Sequence, residues 1–135
     1  MLIRTLYAFF LIILGSSALA QGTLYDCEME QTRKGGGYIP ERIEFSIQSG
    51  GVTIKVLRGR APIIFGAAKV TRYNARKTVI FWTGHGLGVS SNNVSLPRFK
   101  FNATIRKGGK ITVHASPSGY SNRFFETGTC TIRIQ

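Results

Sequence analysis

Residues 98–116 read RFKFNATIRKGGKITVHAS. Phe99, Phe101, Ala103 and Ile105 alternate with Arg98, Lys100, Asn102, Thr104 and Arg106; Ile111, Val113 and Ala115 alternate with Lys110, Thr112, His114 and Ser116. Successive side chains of a strand point to opposite faces, so this period of two builds a pair of strands, each with one apolar and one polar face. The joint is Lys107-Gly108-Gly109. A two-residue Gly-Gly turn would set Ile105 opposite Thr112 and mix the faces, whereas directly paired residues share one. A three-residue turn sets Ile105 against Ile111, Thr104 against Thr112 and Ala103 against Val113. The sequence therefore predicts a three-residue hairpin turn with Gly109 at positive φ.

The same alternation recurs outward from this hairpin. Ile43, Phe45 and Ile47 alternate with Glu44, Ser46 and Gln48, and Val52, Ile54 and Val56 alternate with Thr53 and Lys55. A tight Ser49-Gly50 turn pairs Ile47 with Val52, Phe45 with Ile54 and Ile43 with Val56, and sets Glu44 opposite Lys55. Tyr25, Cys27 and Met29 share a face near one end of the chain, as do Cys130, Ile132 and Ile134 near the other. The middle reads as strands from Ala61 to Phe65, Ala67 to Tyr73 and Lys77 to Thr83, with turns at Gly66 and at Asn74-Ala75-Arg76. Thr78 to Trp82 (TVIFW) is apolar on both faces, which a half-solvated antiparallel strand should not be. Either something covers its outer side, for which Gly84-His85-Gly86-Leu87-Gly88 is the candidate, or one of Ile80 and Trp82 faces a ligand or partner. No stretch beyond Leu14 carries the helical spacing of apolar residues, so the class is all-β: a small antiparallel barrel or sandwich of about eight strands.

The first twenty residues read as an export signal. Arg4 precedes the apolar run Leu6–Leu14, which is too short for the ~20 residues that span a bilayer, and Ala18-Leu19-Ala20 offers small residues to a signal peptidase. Cleavage after Ala20 leaves residues 21–135 as a single β-domain. Removing 20 of 135 residues leaves 115, and the loss of Arg4 lowers the formal net charge from +12 to +11. The expected location is periplasmic or secreted. In an oxidising space Cys27 and Cys130 pair by default, closing nearly the whole mature chain, and the loop-entropy model assigns such a bridge about 4–5 kcal/mol.

Chemistry-bearing motifs are sparse. Two cysteines exclude a four-cysteine zinc site, and HExxH, C-x-x-C, G-x-S-x-G and phosphate-loop patterns do not occur. Asp26, Glu28 and Glu30 alternate along one strand and read as a solvated acidic edge, since a carboxylate row without a turn is no calcium loop. His85 and His114 are each read as surface residues without an orienting partner. Neither a metal, a cofactor nor an enzymatic activity is expected.

Excess basic charge is the functional signal. Arg58, Arg60, Lys69, Arg72, Arg76 and Lys77 run through the middle of the chain, while Arg98, Lys100, Arg106 and Lys110 share the outer face of the opening hairpin, with Lys107 in its turn. Arg106 facing Lys110 would be repulsive, so the arrangement costs stability unless an anion relieves it. The expected anion-binding set is Arg72, Arg76, Lys77, Arg98, Lys100, Arg106, Lys107 and Lys110. Export makes an anionic lipid or polysaccharide surface of the envelope the expected partner, rather than nucleic acid. Two alternatives are a carrier for a small apolar ligand, walled by Phe81, Trp82 and Phe99, and a protein inhibitor or adhesion module acting through Gly84–Gly88.

The stretch Pro117-Ser118-Gly119-Tyr120-Ser121-Asn122-Arg123-Phe124, then Gly128-Thr129-Cys130, resembles the ending of a group of small exported bacterial β-proteins. That group pairs a P-x-G-Y-x-N-x-F segment and G-x-C with an early Y-x-C, here Tyr25-Asp26-Cys27. The resemblance implies compartment and fold, with Gly119 in a turn and Tyr120 and Phe124 packed under the disulfide. A second resemblance, through Y-x-C, the disulfide and Ser118-Gly119-Tyr120, is to periplasmic inhibitors of c-type lysozyme. Those lysozymes are basic, and a partner of +11 would be repelled. The architecture expected is thus lipocalin-like or lysozyme-inhibitor-like, although the G-x-W of lipocalins is absent, since Trp82 lies mid-chain.

Overall fold

A computed structural model of the protein describes residues 22–49, 51–59, 63–86 and 98–135. Eight strands follow in order: β1 Thr23–Met29, β2 Arg42–Gln48, β3 Gly51–Arg58, β4 Ile63–Tyr73, β5 Lys77–Gly86, β6 Arg98–Arg106, β7 Lys110–Pro117 and β8 Phe124–Ile134, with a short 3-10 helix at Arg33–Gly35 between β1 and β2. Each strand pairs antiparallel with the next, and β8 returns to pair with β1, so the sheet closes into a barrel rather than a sandwich. Closure removes free sheet edges, and eight strands enclose a space just wide enough for side chains or one small ligand.

The hairpin register follows the alternation. Ile105 stands opposite Ile111, Thr104 opposite Thr112 and Ala103 opposite Val113. Gly108 and Gly109 both adopt positive φ, 98° and 92°. The Gly109 carbonyl accepts the Cys130 N–H at 2.6 Å, and a Cβ at Gly109 would run into the Cys130 carbonyl oxygen, so the turn is docked on β8 beside the disulfide. In the second hairpin Ile47 opposes Val52, Phe45 opposes Ile54, Ile43 opposes Val56 and Glu44 opposes Lys55. Cys27 and Cys130 are direct partners across the β1–β8 seam and form a disulfide.

Three local expectations are corrected. Gly66 is not a turn: β4 runs unbroken from Ile63 to Tyr73, and the ladder to β5 slips between Phe65 and Ala68. The extra residues form a bulge, which glycine accommodates as readily as a turn. Ile80 and Trp82 both point inward and are fully buried, and the outward half of TVIFW is Val79 and Phe81, each half-buried. Gly84–Gly86 continues β5 instead of covering it, while Leu87 and Gly88 lie outside the described residues. Lys69 does lie over Phe81, its Nζ 5.6 Å from the ring centroid. Tyr120 does not pack under the disulfide: it is 66% exposed on the turn made by Gly119, whose φ is 85°. Phe124 packs instead on Tyr38, with ring centroids 4.9 Å apart.

The core is aromatic. Trp82 stacks on Phe101 at 5.3 Å with the planes 3° apart, and Phe45 meets Trp82 edge-on at 5.4 Å. Offset and edge-on arrangements suit the ring quadrupoles. The Trp82 indole N–H is buried with no acceptor among the described residues, a cost of about 1–3 kcal/mol that the packing around it must offset.

One end of the barrel is closed by the segment that links β1 to β2. Tyr38 packs 4.7 Å from Phe99, and Ile39 is 5% exposed within the core. Glu126 shares the inward face of β8, being opposite the buried Val113, and is only 4% exposed. Its carboxylate accepts the Thr32 N–H at 3.1 Å, the Thr32 hydroxyl at 3.0 Å and the Gly35 N–H at 3.1 Å. Buried carboxylates persist when their lone pairs are met in this way. At the opposite end the described chain termini meet, with Gln135 donating its N–H to the Gly22 carbonyl at 2.8 Å.

Candidate functional site

Among the described residues the second end is an open mouth. It gathers the starts of β1, β3, β5 and β7 and the ends of β2, β4, β6 and β8, joined here by the short connections at Ser49-Gly50, Asn74–Arg76 and Lys107–Gly109; Gly50 is outside the described residues. A cavity of about 630 Å³ opens there, lined by Thr23, Ile47, Val52, Ala68, Val70 and Tyr73 with the polar Gln48, Ser49 and Lys69 at its edge. Ile47, Val52, Ala68 and Val70 belong to the inward set that packs against the core cluster. The cavity exists because β3 and β4 are joined by a single pair, Val52 with Ala68, so the wall is splayed at this seam. Beside it lies a recess of about 210 Å³, and Tyr73, 70% exposed, lines both.

Cations crowd this recess. Arg76, Lys77, Arg106 and Lys107 line it, together with Tyr25, Thr78, Ile105 and Ile132. Local hydrogen bonding sets them there. The Asn74 side-chain oxygen accepts from the N–H groups of Arg76 at 2.8 Å and Lys77 at 3.0 Å, as an asparagine-led turn does. The Lys107 N–H donates to the Arg76 carbonyl at 2.8 Å, tying the β4–β5 turn to the β6–β7 turn. Lys77 and Arg106 are direct cross-strand partners. This like-charge contact lies on the β5–β6 ladder and adds to the crowding on the other side of β6, where Arg106 and Lys110 flank the turn that follows the Ile105–Ile111 pair.

The structure divides the eight basic residues read from the sequence. Arg76, Lys77, Arg106 and Lys107 converge on the rim, and Lys110, opposite Thr129, flanks the same turn. Arg72 stands opposite Val79 on the outer wall. Arg98 and Lys100 lie towards the closed end, opposite His85 and Thr83, and line a separate hollow of about 350 Å³ with His85, Phe99 and Ser118. Arg60 is outside the described residues. His114 lies 5.9 Å from Phe125, remote from His85.

Acidic residues are segregated from the rim. No carboxylate side chain occurs in the sequence between Glu44 and Glu126, so β3 to β7 carry none. Ion pairs among the described residues join Arg42 to Asp26 at 2.6 Å and Arg58 to Glu28 and Glu41 at 3.8 and 2.7 Å. The expected solvated acidic edge is thus partly neutralised on the β1–β2–β3 side. Hydrogen bonds from Arg42 hold the Asp26 carboxyl below its ordinary range; burial opposes this, and the charges of Arg42 and Arg133 reinforce it.

Phe81, Trp82 and Phe99 do not wall a ligand cavity together: Trp82 and Phe99 are buried in the packed core and Phe81 faces outward. The apolar lining falls instead to residues one layer nearer the mouth. Ile132 and Ile134, inward in parity with Cys130, are 44% and 78% exposed there. An apolar alternation that continues past the last covering element was the available sequence signal for them.

No protein-family model, curated protein or solved structure matches the chain.

Proposed function

We propose that the protein is a non-enzymatic exported binding module whose basic rim engages an anionic component of the cell envelope, a lipid or polysaccharide surface. One observation carries this reading: Arg76, Lys77, Arg106 and Lys107 line a single recess on strands that carry no carboxylate. Like charges held directly opposite destabilise a sheet, and a bound anion turns that cost into attraction. Arginine adds a planar fork suited to phosphate or carboxylate oxygens. Arg72 and Lys110 extend the positive field outside the recess, and Arg98 with Lys100 forms a second, smaller patch. The disulfide is compatible with an oxidising compartment, where the polyanions at hand belong to the envelope.

Co-sedimentation with anionic and with neutral vesicles, each at low and high salt, tests the reading. Binding should require lipid charge and weaken as salt rises, because exposed charges are screened beyond a Debye length of ~10 Å at 0.1 M. Binding indifferent to both lipid charge and salt would overturn it. A second reading, carriage of a small apolar ligand, is favoured by the cavity at the mouth, whose volume of about 630 Å³ lies within the usual range for ligand sites. Native mass spectrometry of freshly purified protein tests that reading through retained mass.

A further inference from the structure

We infer that the mouth seats one single-chain phosphate-bearing lipid, a lysophospholipid, with its phosphate on the basic rim and its acyl chain in the splayed β3–β4 cavity. This rests on the anion-binding reading of the rim and names the ligand that would use it. Polarity around the mouth is sorted as an amphiphile requires. Arg76 and Lys107 stand on the Asn74–Arg76 and Lys107–Gly109 turns and Lys77 and Arg106 at the adjoining strand ends, whereas Ile47, Val52, Ala68 and Val70 point inward below them. Tyr73 lines both spaces, so head and tail sites are contiguous. Its phenol gives the boundary an apolar ring and a polar tip, the composition found where hydrocarbon meets water.

Depth sets the chain number. Below Ala68 its strand partner Trp82 is stacked on Phe101 and met by Phe45, so the barrel is filled beneath the cavity. The far end is occupied by Tyr38 and Ile39 and pinned through Glu126. Among the described residues the larger space at the mouth is the β3–β4 cavity, and the recess beside it has about a third of that volume and is shared with the cations, so it takes a headgroup and not a second chain. A two-chain phospholipid would leave one chain in water; a lysophospholipid leaves none, and its headgroup charge matches the rim.

The test uses the mature protein with lauroyl lysophosphatidic acid below its micelle threshold. Its comparison arms are glycerol 3-phosphate, which has the head alone, and lauroyl lysophosphatidylcholine, which has the same chain on a neutral head. Trp82 is the sole tryptophan and the cross-strand partner of Ala68, so its emission reads occupancy of the cavity, and native mass spectrometry reads stoichiometry. The expected result is a saturable one-to-one complex, with each comparison ligand weaker by about tenfold or more. Val52→Phe, which fills the cavity, should weaken lysophosphatidic acid binding and spare co-sedimentation with anionic vesicles. Lys77→Glu, at the outward start of β5, with Lys107→Glu, on the exposed β6–β7 turn, should weaken the two together and serves as the arm that does not disturb the core. Glycerol 3-phosphate binding as tightly as the lipid, or anionic vesicle binding without any one-to-one lipid complex, would overturn the seat and leave the rim reading standing. Loss of salt-sensitive vesicle binding altogether would sink the rim reading itself.

Discussion

Lys77 on β5 and Arg106 on β6 stand directly opposite each other across the ladder, two cations in a position where sheets ordinarily place opposite charges. Replacing Lys77 with glutamate converts repulsion into a cross-strand pair. Lys77→Glu should therefore raise the thermal midpoint slightly, by the equivalent of about 0.2–1 kcal/mol, while lowering affinity for anionic vesicles. Thermal melting and co-sedimentation on the same preparation check both signs. A variant that loses stability as well as binding would show that Lys77 has a packing role instead.

The disulfide links strands that are already neighbours, yet it spans a sequence separation of 103 residues. Its main effect falls on the unfolded chain, whose loop it closes. Reduction, or replacement of both cysteines by serine, should cost about 2–5 kcal/mol, seen as a lower denaturant midpoint.

Glu126 is the anchor of the closed end. Glu126→Ala removes the acceptor for the part-buried Thr32 N–H and the buried Gly35 N–H, and the buried donor left unmet costs about 1–3 kcal/mol. Glu126→Gln keeps one acceptor oxygen and should lose less. Gly35→Ala should fail in the same region, because its Cβ would stand 2.6 Å from Glu126 Cγ. Hydrogen exchange of residues 30–40 measured against the rest of the barrel reads all three.

Acid stability should carry the mark of Asp26. Its folded carboxyl titrates below the ordinary value of 3.8, chiefly through the hydrogen bonds from Arg42. A lowered folded pKa contributes stability above the unfolded value, and that stability is lost as pH falls through the folded one. The gap in thermal midpoint between the natural protein and Asp26→Asn should thus be constant near neutrality and close progressively below about pH 4.

The periodicity of residues 98–116 was enough to set a register, because a slip of one residue would have turned Phe99, Phe101 and Ile105 out of the core. The argument from shared faces also held for Ile47 with Val52. It faltered in β4, where Gly66 can serve either a turn or a bulge and only the long-range ladder to β5 decides. The closed end was illegible for a different reason. Arg33–Gly37 carries no periodic pattern, and its conformation is fixed by a partner more than ninety residues away, Glu126. A signal did exist, namely an acid placed in parity with Phe124, Gly128 and Cys130. Convergence of Arg76 and Lys77 with Arg106 and Lys107 was likewise hidden, since charge counting shows abundance and only strand pairing shows which turns are neighbours.

The hydrogen bond from the Gln135 N–H to the Gly22 carbonyl brings the two ends of the barrel together at the mouth. In a chain limited to residues 22–135 a short linker can therefore join Gln135 to Gly22, and a new break can be opened in the exposed Ser118–Asn122 turn, which lies between β7 and β8. In such a circular permutant the chain ends, and any affinity tag fused to them, move to the far pole of the molecule. A tag fused directly at Gly22 or Gln135 hangs at the mouth, the end that carries Arg76 and Lys107, where an acidic epitope would compete with the surface being assayed.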